Sequence, residues 1–585
     1  MSMQKATKKP SVAPLLIFAA LGALFGSTTI IGLTVLTSPT LFWQLLGARL
    51  VRYLVCFGIL FFAIWGYGSI ARPVAYLSLP VACVACGVRT VYESAAFVDG
   101  LPIALVFCAL SLGAIVAAAY AMAQDAPAPK PASKSTLPWP QICAIALVTL
   151  AAAASLALFI RFYLIRFNSL QTDGASQAQI GQMLYYMQHS GLPFTTVTSG
   201  SPHLYLATDF SPLWYLLLPV YLLSGHDLMA VGIALYAIML SAAVPLWRIC
   251  KRFSLSPMVT CALSAAMLLC PLLICGGVGG GSLSMLSLPL LLWLADALLG
   301  KRPYLALIPL LLCLGVGLQV TVWTVFVCLY LALSANKKKW GLICLAVSGL
   351  GLIATVIWLA VNQSPVLTGL FSGIGLQLVP KLRFLALLLI PTALLFVFCR
   401  QRSALVLLIP LALCHLVANA SVYSGVFSSY AYPAMAALWL LCAVGAQRTT
   451  VQIRQVRLSR VLPAFALSAA MLLSMPYVML TESLYEVENQ DIADAARIRT
   501  ALDKLPQNAS VTASESLLPE LCDRTWLFSL DADPEHPDTN VIVLDLREDF
   551  IPSDMEAYGI SYYTAQGYTL REDLSADGLV AILYK

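Results

Sequence analysis

Asp173 is the residue whose type and place are best suited to chemistry. It stands in Gln171-Thr172-Asp173-Gly174, just past an apolar run, and only Asp209 joins it as a carboxylate in the loop up to 226. A carboxylate at a membrane boundary can serve as general base for an acceptor hydroxyl, with partial burial raising its pKa toward a useful range. It can also cap the helix that follows, since Asp is a preferred N-cap. One residue can do both. Asp209, in Asp209-Phe210-Ser211-Pro212, could bind a divalent metal or orient a substrate beside Asp173, or simply open a helix. Arg161, Arg166, Lys381 and Arg383 place cations next to apolar runs. Such cations can hold a lipid-linked phosphate, Arg often bidentately, or merely snorkel to head groups.

Other chemistry-bearing residues form weaker patterns. His203, His189 and His226 gather around the same loop, but their spacing does not place them on one helix face. His415 and Asp296 lie inside apolar runs, where packing or helix-to-helix glue competes with a functional role. Cys83-Val84-Ala85-Cys86 has zinc-like spacing but no accompanying histidines, and it sits in an apolar stretch. The Gly276–Gly281 run lacks the Lys-Ser/Thr of a phosphate loop, and Asp531-Ala532-Asp533 reads as a solvated turn.

The elements that must position these residues are set by composition. Of 585 residues, 60% are hydrophobic and 11% charged, which excludes a soluble enzyme of this size. Charge is unevenly divided: positions 1–480 hold 27 basic and seven acidic residues, and the last 105 hold seven basic and 21 acidic. The first part is a polytopic membrane body and the second a small acidic, water-soluble α/β domain. The basic excess belongs to membrane-flanking loops, so it signals topology rather than a nucleic-acid surface.

A bilayer core takes about 20 apolar residues per helix. On that basis four spans fall near 14–36, 53–71, 74–90 and 102–122, forming an accessory unit over 1–123. A Pro, Ala and Lys linker, 124–140, separates them from a core over 141–480. Core spans fall near 141–166, 227–247, 256–274, 282–299, 303–318, 319–335, 340–361, 382–399, 403–420, 430–446 and 461–480. The Lys/Arg clusters at 248–252, 301–302, 337–339, 400–402 and 448–460 all become cytoplasmic only if 303–335 crosses twice. That solution puts the N-terminus inside, and the loop 167–226 and the domain 481–585 outside. Pro212–Ser224 is too short to span and reads as an interfacial helix, with Ser211 as its cap and Pro212 in its first turn. Ile180, Met183, Leu184 and Met187 share a face of a second helix lying in the interface. In the tail, Ala509–Ala513, Val541–Leu546, Tyr562–Tyr563 and Leu579–Tyr584 read as strands, and Ile492–Leu505 as helix.

The stretch from Asp173 to Pro245 carries a resemblance. Asp173 and Gln179 are followed by Asp209-Phe210-Ser211-Pro212-Leu213, Leu218-Pro219-Val220-Tyr221 and Val244-Pro245-Leu246-Trp247; later come Tyr430-Ala431-Tyr432-Pro433 and a tail segment from Leu505-Pro506 to Asp523-Arg524. This resembles a bacterial membrane-protein family of unknown function grouped with the GT-C glycosyltransferases. The resemblance covers roughly residues 141–585 and leaves the four N-terminal spans outside it. It implies a GT-C-like fold, so that with the spans counted above the expectation is an all-α polytopic membrane protein of about 15 transmembrane helices with a small extracytoplasmic α/β domain at the C-terminus. It also implies a polyprenyl-phosphate-type sugar donor, an extracytoplasmic acceptor and a catalytic acid in the first outer loop. On that match Asp173 takes the acidic position and Gln179 a supporting one, while Tyr430 and Tyr432 fall in the late substrate-contact region. Asp209 and Ser429 or Ala431 stand where the family shows His. The rival expectations are a transporter or flippase of lipid-linked sugars, and a non-enzymatic scaffold or sensor.

Overall fold

The structure is a computed structural model. It describes residues 139–198, 201–278, 281–334, 338–369, 378–392, 395–399, 401–417, 428–448, 452–453, 456–457, 466, 470, 489–532, 534–535, 539–547 and 558–585. The four N-terminal spans, the linker and nearly all of 461–480 lie outside the described residues.

An unbroken run of Ala, Leu, Ile and Phe makes α1, Trp139–Asn168, with no Gly or Pro past its first turn to interrupt it. Beyond the loop that follows, α4 (Leu228–Leu240) runs almost directly into α5 (Ala243–Arg252). Next, α6 (Pro257–Leu268) starts on the Ser256 cap and α7 (Pro271–Val278) restarts at a proline. Then come α8 (Ser287–Leu299), α9 (Leu307–Leu314), α10 (Leu318–Ser334), α11 (Lys338–Val361), α12 (Leu378–Leu389) and α13 (Ala431–Arg448). Among the described residues, four helical stretches are long and apolar enough to cross a membrane: Ala144–Asn168, Leu228–Arg252, Val259–Val278 and Lys338–Val361. On α11, Leu342, Leu350, Ile353 and Ile357 are exposed, an apolar face of the kind that lipid covers.

The 303–335 segment folds back on itself. A turn at Gly315–Gly317 separates α9 from α10, and the Tyr304 ring lies 6.4 Å from that of Trp340. The start of α9 and the start of α11 therefore share one end of the body, together with Lys301, Arg302, Lys338 and Lys339. This is the basic end, and the turn lies at the other. Arg248 and Arg252 belong to the basic end too, both bound to Asp296 of α8 at 2.8 and 2.6 Å. Asp296 is thus interhelical glue.

The opposite end carries a shelf. Here α2 (Gly174–Ser190) buries Met183, Leu184 and Met187, as its periodicity implies, and α3 spans Trp214–Leu223. A two-strand hairpin, β1 (Phe194–Thr195) and β2 (His203–Leu204), lies between them. The expected Ser211 cap does not form. The Leu213 N–H that it would serve donates instead to the Gly315 carbonyl at 3.2 Å, the Trp214 N–H donates to the Ser211 carbonyl, and the Ser211 hydroxyl turns to the Asp209 carbonyl.

The C-terminal residues form α14 (Asn489–Leu502) and a five-stranded sheet. Its strands are β3 (Val511–Ala513), β4 (Leu527–Ser529), β5 (Val541–Asp545), β6 (Thr569–Leu570) and β7 (Val580–Tyr584), in the order β4-β3-β5-β7-β6. Pairs β3–β4 and β3–β5 are parallel, and the other two are antiparallel. Tyr562–Tyr563, expected as strand, lies in the helix Ile560–Ala565. That turn brings Tyr558 and Tyr562 edge to face at 5.0 Å and lets the Tyr563 hydroxyl reach the Pro534 carbonyl.

Candidate functional site

The site is best built from the end of α1. The last carbonyls of a helix lack intrahelical partners, and here the C-terminal residues supply them. Arg499 donates to the Phe167 and Asn168 carbonyls at 2.7 and 3.1 Å, and Arg547 to that of Ser169 at 3.1 Å. Both cations suit a helix C-terminus. Each is held in turn by a carboxylate: Arg499 by Glu520 at 2.8 Å, Arg547 by the buried Asp545 at 2.6 Å. The chain then turns through Leu170, a buried residue at φ 58°, where side chains are rarely tolerated.

Asp173 follows that turn. It caps α2, its Oδ1 accepting from the Ser176 N–H at 3.4 Å, and it remains exposed. Arg166, half-buried on the last turn of α1, lies within electrostatic reach of it and is oriented by an Nε bond to the Gln171 carbonyl at 2.9 Å. Glu515, from the turn after β3, closes over the same spot and accepts from the Ala175 N–H at 3.4 Å. Gly174 has to be glycine, because a Cβ there would collide with the Glu515 backbone carbonyl. Burial first, then the charges of Asp173 and Asp531, push the Glu515 carboxyl above its ordinary range. An exposed carboxylate, a second one biased toward protonation and an arginine therefore meet at the start of α2. Such a set can pair general acid with general base. Glu515 escaped the sequence reading because nothing in an acidic tail marks one glutamate among many.

Asp209 belongs to a different neighbourhood. Asp173 caps the start of α2, while Asp209 comes five residues after the hairpin that leaves its end. Seventeen helical residues at about 1.5 Å each separate the two ends by about 25 Å. The expected pairing of the two aspartates is corrected on that ground. Asp209 is half-buried against the turn at Gly317, whose φ of +152° suits glycine. Desolvation there raises its pKa to about 6, with the Ser211 hydroxyl opposing the shift. Tyr205 shares the pocket, and Asp209 and Tyr430 both act on its hydroxyl electrostatically. Gln319 donates to the Tyr430 carbonyl at 3.1 Å, and its own amide oxygen is buried without a hydrogen-bond partner among the described residues. Among the described residues no three His, Cys, Asp or Glu gather as metal ligands.

The remaining candidates are scattered. Arg161 is half-buried on α1, five positions before Arg166. Gln179 is half-buried too, whereas its neighbours on α2 do the binding. Gln177 donates to the Tyr163 hydroxyl at 3.4 Å. Gln182 accepts from Thr195 and the Thr196 N–H, and donates to Thr196 and to the Arg524 and Thr525 carbonyls. His203 sits in β2 opposite Thr195, its Nδ1 3.4 Å from the Ser201 carbonyl. Lys381 is buried on α12; Arg383 is on the same helix, its side chain outside the described residues. Tyr432 is fully buried and donates to the Leu273 carbonyl at 3.1 Å, so it ties α13 to α7 rather than facing Tyr430's pocket. His415 stacks on Phe384 with ring centres 4.7 Å apart.

A helical body with a lipid-facing apolar surface, basic residues gathered at one end and a polar shelf at the other defines an integral membrane protein. The chain belongs to the family described as "Predicted membrane protein (DUF2079)", whose model matches residues 166–580, from Arg166 through the C-terminal sheet. The family resemblance drawn from Asp173, Gln179 and the proline motifs is borne out to that extent. No curated protein matches. Among solved structures, the chain is similar to ArnT from Cupriavidus metallidurans in the apo state, with TM-score 0.47 and 14% identity over 75% of this chain and 98% of that one. It is similar also to ArnT from Cupriavidus metallidurans bound to undecaprenyl phosphate, with TM-score 0.47 and 13% identity over 74% of this chain and 97% of that one.

Proposed function

We propose that this protein is a GT-C-type glycosyltransferase that moves a sugar from a polyprenyl-phosphate-type lipid to an acceptor on the shelf side, which the Lys/Arg bias makes extracytoplasmic. The observation that carries the proposal is the meeting of exposed Asp173 with Arg166 and Glu515 where a spanning helix reaches the shelf. In the proposed step the acceptor hydroxyl attacks the anomeric carbon, the bond from that carbon to the phosphate oxygen breaks, and Asp173 takes the hydroxyl proton. The lipid phosphate leaves with the bonding pair, steadied by Arg166. Arg161 and buried Lys381 are proposed to add positive potential along the lipid's path. The pocket of Asp209, Tyr205 and Tyr430 would contact a remote part of the acceptor.

The test is transfer from radiolabelled polyprenyl-phosphate sugars by the purified full chain. Asp173→Asn should lower turnover by a factor on the order of 10² to 10⁴, the usual worth of a positioned base. Arg166→Ala should slow the same step. Undiminished transfer by Asp173→Asn would overturn the assignment.

A further inference from the structure

Near its end the C-terminal layer carries four tyrosines whose work is divided. Tyr563 and Tyr568 are buried anchors, their hydroxyls donating to the Pro534 and Thr539 carbonyls at 2.9 Å each. Tyr558 and Tyr562 stand outside them, half-buried, with ring planes at 85° and centres 5.0 Å apart. Two aromatic walls thus meet at nearly a right angle on the surface. A polar edge comes from another part of the chain. Glu535 accepts from the Tyr558 hydroxyl at 3.2 Å, and its backbone carbonyl accepts from the Gln566 side-chain amide at 3.1 Å. The second Glu535 carboxylate oxygen, the Gln566 amide oxygen and the Tyr562 hydroxyl have no hydrogen-bond partner among the described residues, and Glu535 and Gln566 are exposed. This notch adjoins the site at Asp173. Leu530 packs in the same small core as Tyr563, with Tyr558 and Tyr562 against it. The next residue, Asp531, lies within electrostatic reach of Tyr563 and is hydrogen-bonded to Glu515. One turn, Leu530–Ala532, therefore joins the aromatic pair to the carboxylates.

We propose that the notch of Tyr558, Tyr562, Glu535 and Gln566 binds sugar residues of a glycan acceptor, holding them while the reacting hydroxyl lies at Asp173. A sugar ring has C–H faces and a girdle of hydroxyls. Tyrosine rings cover the faces at low cost in side-chain entropy, and the carboxylate, amide and phenol oxygens accept from the hydroxyls. A proline-rich peptide would use the rings alone, because prolines have no N–H to give those oxygens. The acceptor role rests on the transferase reading above; the binding of sugar does not.

The probe is a pool of oligosaccharides released by mild acid from bacterial envelope polysaccharide, mixed with the full chain in lipid nanodiscs and read by saturation-transfer NMR. The parent protein should saturate sugar ring C–H protons. Affinity should fall roughly tenfold in Tyr558→Ala/Tyr562→Ala and persist in Tyr558→Phe/Tyr562→Phe, which keeps both rings. Gln566→Ala, at an exposed position, should weaken binding without touching the core. No saturation of any sugar, undiminished binding in both the double alanine variant and Gln566→Ala, or equal saturation of a proline-rich peptide would each overturn the proposal. In the transfer assay the double alanine variant should raise the KM for the same sugars with little change in kcat. Sugar binding by a chain that transfers nothing would defeat the transferase reading and leave the notch standing.

Discussion

Asp209 and Glu515 are two carboxylates whose environments disfavour their charged forms, with different consequences. The Asp209 pKa is raised to about 6 by desolvation. A raised folded-state pKa means that its contribution to stability is complete below the ordinary carboxylate range, near pH 4, and is lost as pH rises through about 6. Melting followed by tryptophan fluorescence in detergent should therefore show greater stability at pH 5 than at pH 7.5, and Asp209→Asn should flatten that slope. An unchanged slope in the variant would show that Asp209 is not the titrating group. At Glu515 the raised pKa bears on rate. Glu515→Gln should remove a limb from the pH–rate profile of transfer while leaving a residual rate, whereas Asp173→Asn should suppress the rate at every pH. Asp173 was legible because carboxylates are so scarce ahead of the tail. Glu515 was not, because its neighbours come from residues about 340 positions away in the chain, and periodicity carries no long-range pairing.

Among the elements, α2 is the one that joins the shelf to the C-terminal layer. Its hydrophobic face was readable from Ile180, Met183, Leu184 and Met187, but the sequence could not show what covers it. The cover is the C-terminal layer, fastened through Gln182, through the Tyr186 hydroxyl on the Thr525 carbonyl at 2.7 Å, and through Tyr221 on Asp523 at 2.6 Å. The edge of β4 is covered as well: the Ser529 N–H donates to the Val197 carbonyl and the Leu527 N–H to the Thr196 hydroxyl. Gln182→Leu strips several buried groups of their partners at once, at a cost of about 1–3 kcal/mol for each group left unsatisfied. It should loosen this layer, and limited proteolysis should then cleave near the start of α14 sooner than in the parent protein. Gly174→Ala should act in the same direction by forcing the Glu515 backbone away. The cap expected at Ser211 and the strand expected at Tyr562 failed for a common reason. Local propensity was overridden by a tertiary partner, the Gly315 carbonyl in one case and the Pro534 carbonyl in the other.

For the whole molecule, the division of charge made the gross plan legible. The basic clusters required 303–335 to fold back, and Tyr304 beside Trp340 shows that it does. The first of these helices is shorter than its apolar run suggested, because the turn at Gly315–Gly317 ends it, and Gly341 of α11 lets the backbone of α10 at Ala332 come close. Single cysteines placed at exposed positions test the sidedness. Ser201→Cys should react with an impermeant maleimide in intact cells, and Lys301→Cys and Lys338→Cys only after permeabilisation; the reverse pattern would invert the topology.

The arginine caps on α1 carry a consequence in time. The carbonyls of Phe167 and Asn168 await Arg499, which is synthesised more than 300 residues later. At roughly 5–20 residues per second, that interval is on the order of 20–60 s. During it the first core helix sits in the bilayer with its end unsealed and the surroundings of Asp173 incomplete. The proposed catalyst is therefore inert while it is being made and becomes competent only when its last-synthesised layer folds down onto the shelf.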